Sequence, residues 1–157
     1  MLSGSVKATA TAIIVLELTA WASADCWTNP GPPCEYDRPS GQYPCVSSRR
    51  RRLSGEQFCT EIEDDVFMST WFILTNEQLV ARTEIVNQKN FFDAKGEVYI
   101  ELQNAANEVI YTTATRRYKA DAKMFGGRVI ESKEWSESIP RLTIRHVEGA
   151  AIHHKER

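Results

Sequence analysis

The chain has 157 residues, a formal net charge of −2 at pH 7 and 42% hydrophobic side chains. A net charge this close to zero argues against a general attraction to nucleic acid or anionic membranes, so we predict no nucleic-acid partner. The length suits one ordinary domain with an appended segment and is too short for two full domains.

The N-terminus has the pattern of a secretory signal peptide. Lys7 precedes the mostly apolar run ATATAIIVLELTA, and small residues at Ala22 and Ala24 form an A-x-A cleavage signal. The run is shorter than the roughly 20 residues of a spanning helix, and it contains Glu17. We therefore predict cleavage after Ala24, an extracellular protein comprising residues 25–157, and no membrane span.

Residues 25–59 are rich in proline and cysteine. This segment holds five of the six prolines and all four cysteines, which are Cys26, Cys34, Cys45 and Cys59. Proline at this density prevents helices and central strands, and an oxidising compartment favours two disulfides, for which three pairings exist. The wide cysteine spacings do not match the close pairs of a zinc site. We predict a disulfide-stapled region without a metal ion or other cofactor.

Four consecutive arginines, residues 49–52, stand near the end of this segment. The tract matches the pattern that proprotein-processing proteases recognise, with cleavage after Arg52. It also fits a solvated linker, as most short charge runs do. Because Cys59 follows the tract, a disulfide across it would hold the two pieces together after cleavage.

From residue 65 onward the chain is rich in β-branched and aromatic residues punctuated by turn formers. The clearest pattern alternates Val98, Ile100 and Leu102 with polar or aromatic residues, as in a half-buried strand. The related segments GEVYIE and NEVIYT flank the turn residues NAAN, which predicts an antiparallel hairpin with four or five connecting residues. Gly96 and Asn107 stand just before the two strands and can adopt the positive φ that such turns need.

Other strands are predicted by the same test, and a helix of one or two turns is an alternative for residues 56–68. The further predicted strands are residues 66–74, 78–86, 127–135 and 141–147. Trp71 and Trp135 lie within them and are expected in the core. The last residues, 151–157, contain HHKER and are expected to form a flexible tail.

Six strands without an amphipathic helix predict an all-β domain over residues 60–150, folded as an antiparallel β-sandwich. Its size and hairpin spacing resemble the immunoglobulin-like and transthyretin-like sandwiches, at the level of fold alone. No cysteine pair brackets a core tryptophan, so no family's functional residues are carried over. An exposed edge strand would allow a weak dimer, and we expect a monomer or such a dimer.

Catalytic and metal sites have little support in the sequence. There is no G-x-S-x-G motif, the three histidines (His146, His153 and His154) cluster near one end, and the acidic run at residues 61–65 lacks the ligand spacing of a calcium loop. An enzyme is therefore the less favoured interpretation. The two alternatives that stay open are a small secreted hydrolase with a carboxylate pair and a proprotein cleaved at the arginine tract.

We predict a secreted, non-catalytic interaction module that binds a protein or a carbohydrate through loops of the sandwich, with a secreted effector as a special case. In one loop Phe91 and Phe92 stand between polar residues. The other loop, RRYKADAKMFGG, combines basic and aromatic residues that favour interfaces. Its candidates are Arg116, Arg117, Tyr118 and Phe125. The competing interpretation is that these aromatic rings pack inward and cap the sandwich.

Overall fold

The computed structural model describes residues 51–125 and 127–157, and this part of the chain confirms the all-β class. Its elements are β1 (Arg51–Glu63), β2 (Val66–Thr75), β3 (Gln78–Asn87), β4 (Ala94–Gln103), β5 (Val109–Thr112), β6 (Arg116–Ala120), β7 (Val129–Ser138), α1 (Arg141–Ile144) and β8 (Gly149–Glu156). The predictions about the signal peptide, Ala24, the proline-rich segment, Cys26, Cys34 and Cys45 lie outside the described residues. Within those residues, no helix has the length and apolar character needed to cross a membrane.

The strands form two antiparallel sheets. The first has the order β1-β2-β3-β7. In the second, β8 pairs with residues 96–103 of β4, whereas β6 pairs with residues 94–98 and β5 with residues 101–103. Because one strand has two edges, β5 and β6 share the edge of β4 opposite β8.

Side chains from both sheets meet in two hydrophobic clusters. The first cluster contains Phe72, Leu74, Leu79, Ala81, Ile100, Leu102, Ile139, Ile144 and Val147. The second contains Val66, Met68, Ile85, Ala94, Val98, Tyr118 and Ala120. Trp71, predicted to lie in the core, is fully buried, and Trp135 packs against both clusters. Each large apolar side chain buried in this way contributes about 2 kcal/mol to stability before the entropic cost of ordering.

The predicted hairpin of β4 and β5 is confirmed. Glu101 pairs with Thr112, and five residues, 104–108, connect the strands. Asn107 has φ 60°, as expected of a turn residue, and its amide donates to the Asn104 carbonyl at 2.9 Å. The burial of β4 alternates as the sequence pattern predicts, since Val98, Ile100 and Leu102 are fully buried.

Gly96 is not the turn residue with positive φ that the sequence pattern suggested. Gly96 lies inside β4, and a Cβ atom there would stand 2.5 Å from Sδ of Met68 and 2.8 Å from Cδ1 of Ile62. Glycine is needed at this position because the side chains of the opposite sheet approach the backbone of β4 closely.

Residues 51–63 form strand β1, and neither a linker nor a short helix is found there. It pairs with β2 from Arg51, opposite Thr75, to Glu63, opposite Val66. The register shifts between Gln57 and Thr60, where Cys59 has φ 54°. A bulge of this kind breaks the alternation of side chains, so the strand shows no period of two in the sequence.

The predictions for the last two segments are also wrong. Residues 141–147 begin with the one-turn helix α1, not a strand, because Pro140 precedes it and the Pro140 carbonyl accepts the Ile144 amide at 3.0 Å. This turn buries Ile144 in the first cluster.

Residues 149–156, most of which were expected to form a flexible tail, form β8 and pair with β4. Its polar sequence concealed the strand, because one face is exposed and His154 provides a polar residue on the buried face.

Candidate interaction surface

The two loops predicted as binding candidates lie side by side at one end of the domain. The first connects β3 to β4, and the second connects β6 to β7. A parallel backbone bridge joins Asn90 to Lys123, and the Ala122 amide donates to Oδ1 of Asp93 at 2.9 Å. The loops meet because the first residue of β4, Ala94, pairs with the last residue of β6, so that both loops leave the sheet at the same point.

Asn87, the last residue of β3, holds both loops and was not among the residues predicted from the sequence. Its side chain is buried. The Nδ2 group donates to the Phe92 carbonyl at 2.8 Å, and it also lies 3.2 Å and 3.3 Å from the carbonyls of Ala120 and Asp121. Its Oδ1 accepts the amide of Lys89 at 2.9 Å. The amide therefore satisfies backbone groups of both loops at a point where water has little access.

The joined loops present a group of exposed apolar side chains, which we name the loop surface. Six large hydrophobic residues are exposed in the described residues, and four of them are here: Phe91 (66%), Phe92 (68%), Met124 (64%) and Phe125 (94%). Phe91 also has φ 69°, a left-handed conformation that costs a non-glycine residue about 1–2 kcal/mol. The interpretation in which Phe91, Phe92 and Phe125 pack inward does not fit these exposures.

Two of the predicted binding residues face the interior. Strand β6 points Arg116 and Tyr118 toward the first sheet and Arg117 away from it. Tyr118 is 4% exposed, and burial raises the pKa of its phenol. The Arg116 guanidinium donates to Oε2 of Glu137 at 3.1 Å and lies 5.3 Å from the ring centre of Trp135. Arg116 and Tyr118 therefore stabilise the packing of the sheets and do not belong to the loop surface.

The exposed face of the second sheet carries a group of cations around Glu97. Arg117 Nε, Lys155 Nζ and Arg157 Nε lie 3.7, 3.6 and 3.7 Å from the Glu97 carboxylate oxygens, and Lys95 is exposed beside them. We name Lys95, Arg117, Lys155 and Arg157 the basic face. Only Arg117 of this set was predicted from the sequence, because the four residues come together through strand pairing and not through their order in the chain.

Lys119 lies next to the basic face but is neutralised by its neighbours. Its Nζ is 2.6 Å from Oδ1 of Asp121 and 2.8 Å from Oδ2 of Asp93. Hydrogen bonds to Asp121 and then Asp93 raise the pKa of Lys119, and the bond to Lys119 lowers the pKa of Asp93. These two carboxylates mark the boundary between the loop surface and the basic face.

A polar layer crosses the core between the two hydrophobic clusters. His154 lies with Nε2 2.7 Å from Oγ1 of Thr70 and Nδ1 2.9 Å from Oγ1 of Thr60. Thr70 Oγ1 is 2.8 Å from Thr83 Oγ1, which also accepts the indole N–H of Trp135 at 3.2 Å. Burial lowers the pKa of His154 to about 4, with a smaller contribution from His153. The imidazole is therefore neutral at physiological pH, with both ring nitrogens hydrogen-bonded.

At the opposite end of β4, a groove of about 640 Å³ lies between the β4–β5 turn and α1. Ile110 and Leu142 provide its apolar part, and Arg145, His146 and Glu148 provide its polar part. Its volume is in the range of small-ligand sites. Across residues 51–125 and 127–157, no three histidine, cysteine or acidic side chains gather as they would around a metal ion.

The remaining predicted residues occupy β1. Arg52 is exposed, and the Cys59 amide donates to Oγ of Ser69 at 3.1 Å.

No protein-family model matches this chain, and neither the curated proteins nor the solved structures contain a significant match. The interpretation of its function therefore depends on its own residues and geometry.

Proposed function

We propose that this chain is a secreted, non-catalytic interaction module that binds a protein through the loop surface. The observation that carries the proposal is that Phe91, Phe92, Met124 and Phe125 are exposed together on two loops held by the buried Asn87. A monomeric domain gains nothing from leaving such side chains in water, whereas a partner that covers them removes apolar area from solvent.

The composition of the loop surface favours a protein over a carbohydrate. Phenylalanine and methionine are enriched at the centre of protein interfaces. The loop surface has no tryptophan or tyrosine, whose polar atoms could bond to sugar hydroxyls. Burying each of its side chains would contribute about 2 kcal/mol, and the cost of association offsets part of that gain. A carbohydrate ligand is the alternative for this surface.

We further propose that the two sheets form a β-sandwich, since both supply residues to the same two clusters. Its assignment as immunoglobulin-like or transthyretin-like stays a prediction. Export is supported by the signal pattern of residues 1–24. We also propose that Cys59 forms a disulfide with one of the three earlier cysteines and so connects the proline-rich segment to β1.

The proprotein alternative is less favoured than the interaction module. Arg51 pairs with Thr75, so cleavage after Arg52 would cut within a strand, whereas proteases prefer exposed, unpaired segments. A hydrolase would require two carboxylates facing each other across a cleft. The carboxylate of Glu97 instead faces the cations of Arg117, Lys155 and Arg157.

The proposal is tested with a photo-crosslinking phenylalanine analogue placed at position 125 of the exported protein. A matched protein carries the analogue at Leu142, which is exposed at the opposite end of the domain. We expect irradiation in the native extracellular fluid to give a discrete protein adduct from position 125 and not from position 142. The purified partner should then bind saturably to the wild-type chain and lose affinity for the Phe91→Ser, Phe125→Ser double variant.

Two outcomes would contradict the proposal. One is adduct formation at both positions or at neither. The other is a partner that binds the double variant as tightly as the wild type. N-terminal sequencing of the exported chain tests secretion separately, because it should begin at Asp25.

A further inference from the structure

We infer that the basic face, formed by Lys95, Arg117, Lys155 and Arg157, is a binding site for a sulfated polysaccharide. The inference rests on the proposed export, because such polymers are found outside cells. It concerns a surface different from the loop surface, so the two can be tested independently.

Strand register places the cations in two rows on the exposed face of the second sheet. Across β6, β4 and β8, Arg117 and Lys155 both pair with Glu97 and lie on either side of it. In the next row the Arg157 amide donates to the Lys95 carbonyl at 3.3 Å. Neighbouring strands are about 4.8 Å apart, and alternate residues of one strand about 7 Å, so the four cations cover a compact area.

Glu97 lies among these cations and neutralises only part of their charge. Its side chain is 13% exposed, whereas those of Arg117, Lys155 and Arg157 are 63%, 59% and 47% exposed. One carboxylate opposite four cations leaves an excess of three positive side-chain charges. Exposed ion pairs of this length stabilise the fold little, which leaves the cations available to an anionic ligand. Holding them on paired strands lowers the entropic cost of binding.

The charges around the basic face favour a narrow anionic chain over a nucleic acid. Asp93 and Asp121 limit it on the side of the loop surface. On the other side, Glu101 lies with Oε2 3.0 Å from Nε2 of His153. The ring of His153 stacks on that of Tyr99 at a centroid distance of 4.7 Å and an interplanar angle of 13°. Because each ring covers a face of the other, the pair is a poor platform for stacking nucleobases.

Arginine and lysine suit this ligand for different reasons. The guanidinium groups of Arg117 and Arg157 offer planar forks of donors to sulfate oxygens. The ammonium groups of Lys95 and Lys155 act as compact charges between them. Sulfate esters keep their charge at any physiological pH, so we expect affinity to depend strongly on salt and weakly on pH between 7 and 8.

The test measures binding of the full exported chain to heparin oligosaccharides by calorimetry over a series of salt concentrations. We expect saturable binding that the Arg117→Gln, Lys155→Gln double variant weakens by about tenfold or more at low salt, with a smaller slope of log affinity against log salt. The matched control, Lys133→Gln with Arg145→Gln, removes two exposed cations elsewhere and should retain its affinity within about twofold. A fully desulfated oligosaccharide should not bind.

A second variant is expected to bind heparin more tightly than the wild type, a result that misfolding would not produce. Replacing Glu97 with glutamine removes the carboxylate that competes with sulfate, so Glu97→Gln should bind heparin more tightly than the wild type. The Phe91→Ser, Phe125→Ser variant should bind heparin normally, even if the proposed protein partner fails to appear. Equal heparin affinity in the double variant and the wild type, an equal loss in the control, or tighter binding to single-stranded DNA than to heparin would overturn the inference.

Discussion

Nε2 of His154 lies 2.7 Å from Oγ1 of Thr70, although the two residues are 84 positions apart in the chain. This contact connects β8 in the second sheet to β2 in the first. It lies where Thr70 separates Met68 of the second cluster from Phe72 of the first. The polar layer therefore determines how the two sheets align, because any shift would leave buried hydrogen-bonding groups without partners.

His154 is expected to make the fold less stable in acid. Its pKa is about 4 in the folded chain against 6.5 for the free side chain, so the unfolded state binds the proton more readily. The stability is complete above pH 6.5, decreases as the pH falls from 6.5 toward 4, and is reduced by about 3 kcal/mol below that range. Urea unfolding at several pH values measures this dependence.

The control for this prediction separates His154 from the carboxylates that also titrate in acid. His154→Gln should unfold with a smaller dependence on pH between 6.5 and 4 than the wild type. His146→Gln alters an exposed histidine and should keep the wild-type dependence. Parallel pH profiles for His154→Gln and the wild type would show that burial of the imidazole does not control acid stability.

Removing the hydroxyl of Thr70 should destabilise the protein through the polar layer. Thr70→Val keeps the shape of the side chain but leaves His154 and Thr83 each without one partner, at a cost of about 2 kcal/mol in the free energy of unfolding. Thr112→Val, at an exposed position of β5, should change it by less than about 0.5 kcal/mol. Chemical denaturation of both variants at pH 7.5 compares them. Equal stabilities would mean that the layer adds nothing beyond packing.

Gly96→Ala should destabilise the chain because of steric overlap between the sheets. The new Cβ would stand 2.5 Å from Sδ of Met68, which must move. Overpacking of this kind costs about 1–3 kcal/mol. Gly149→Ala is the matched control, since its Cβ would meet Oε1 of Gln103 at an ordinary 3.7 Å. Thermal unfolding should separate the two variants, and a Gly96→Ala protein as stable as Gly149→Ala would contradict the close approach.

Asn87→Asp should loosen both binding loops at once. The change replaces a donor by a carboxylate oxygen that faces the carbonyls of Phe92, Ala120 and Asp121. Burying this repulsion costs about 2 kcal/mol or more. Hydrogen exchange should increase in the β3–β4 and β6–β7 loops together. The control is Asn104→Asp, at the β4–β5 turn, in which the β3–β4 and β6–β7 loops should exchange as in the wild type. If Asn87→Asp speeds exchange in only one of these two loops, Asn87 does not hold both.

Local patterns predicted those parts of the fold in which one strand face is buried and the other exposed. The β4–β5 hairpin is such a case, since the alternation around Ile100 and the turn at Asn107 are properties of adjacent residues. β1 was not predicted because its bulge near Cys59 shifts the alternation of inward and outward side chains. β8 was not predicted because His154 is a polar residue on its buried face. α1 was predicted as a strand because its apolar positions also fit one.

The candidate site divides in the same way. The composition of each loop marked Phe91, Phe92 and Phe125 as candidates, and nothing in either loop showed that they lie on one surface. Tyr118 was selected for its residue type, and its burial depends on the direction in which β6 presents it.

By itself the sequence determined the all-β class, the β4–β5 hairpin and the residues with interface chemistry, because each depends on neighbours along the chain. Only the tertiary structure decided that the two loops meet at Asn87, that three cations lie within 4 Å of Glu97 and that His154 faces the core. These relationships depend on which strands pair and in which register. Pairing is a competition among all segments for the same buried area and backbone partners, and no single segment encodes its outcome.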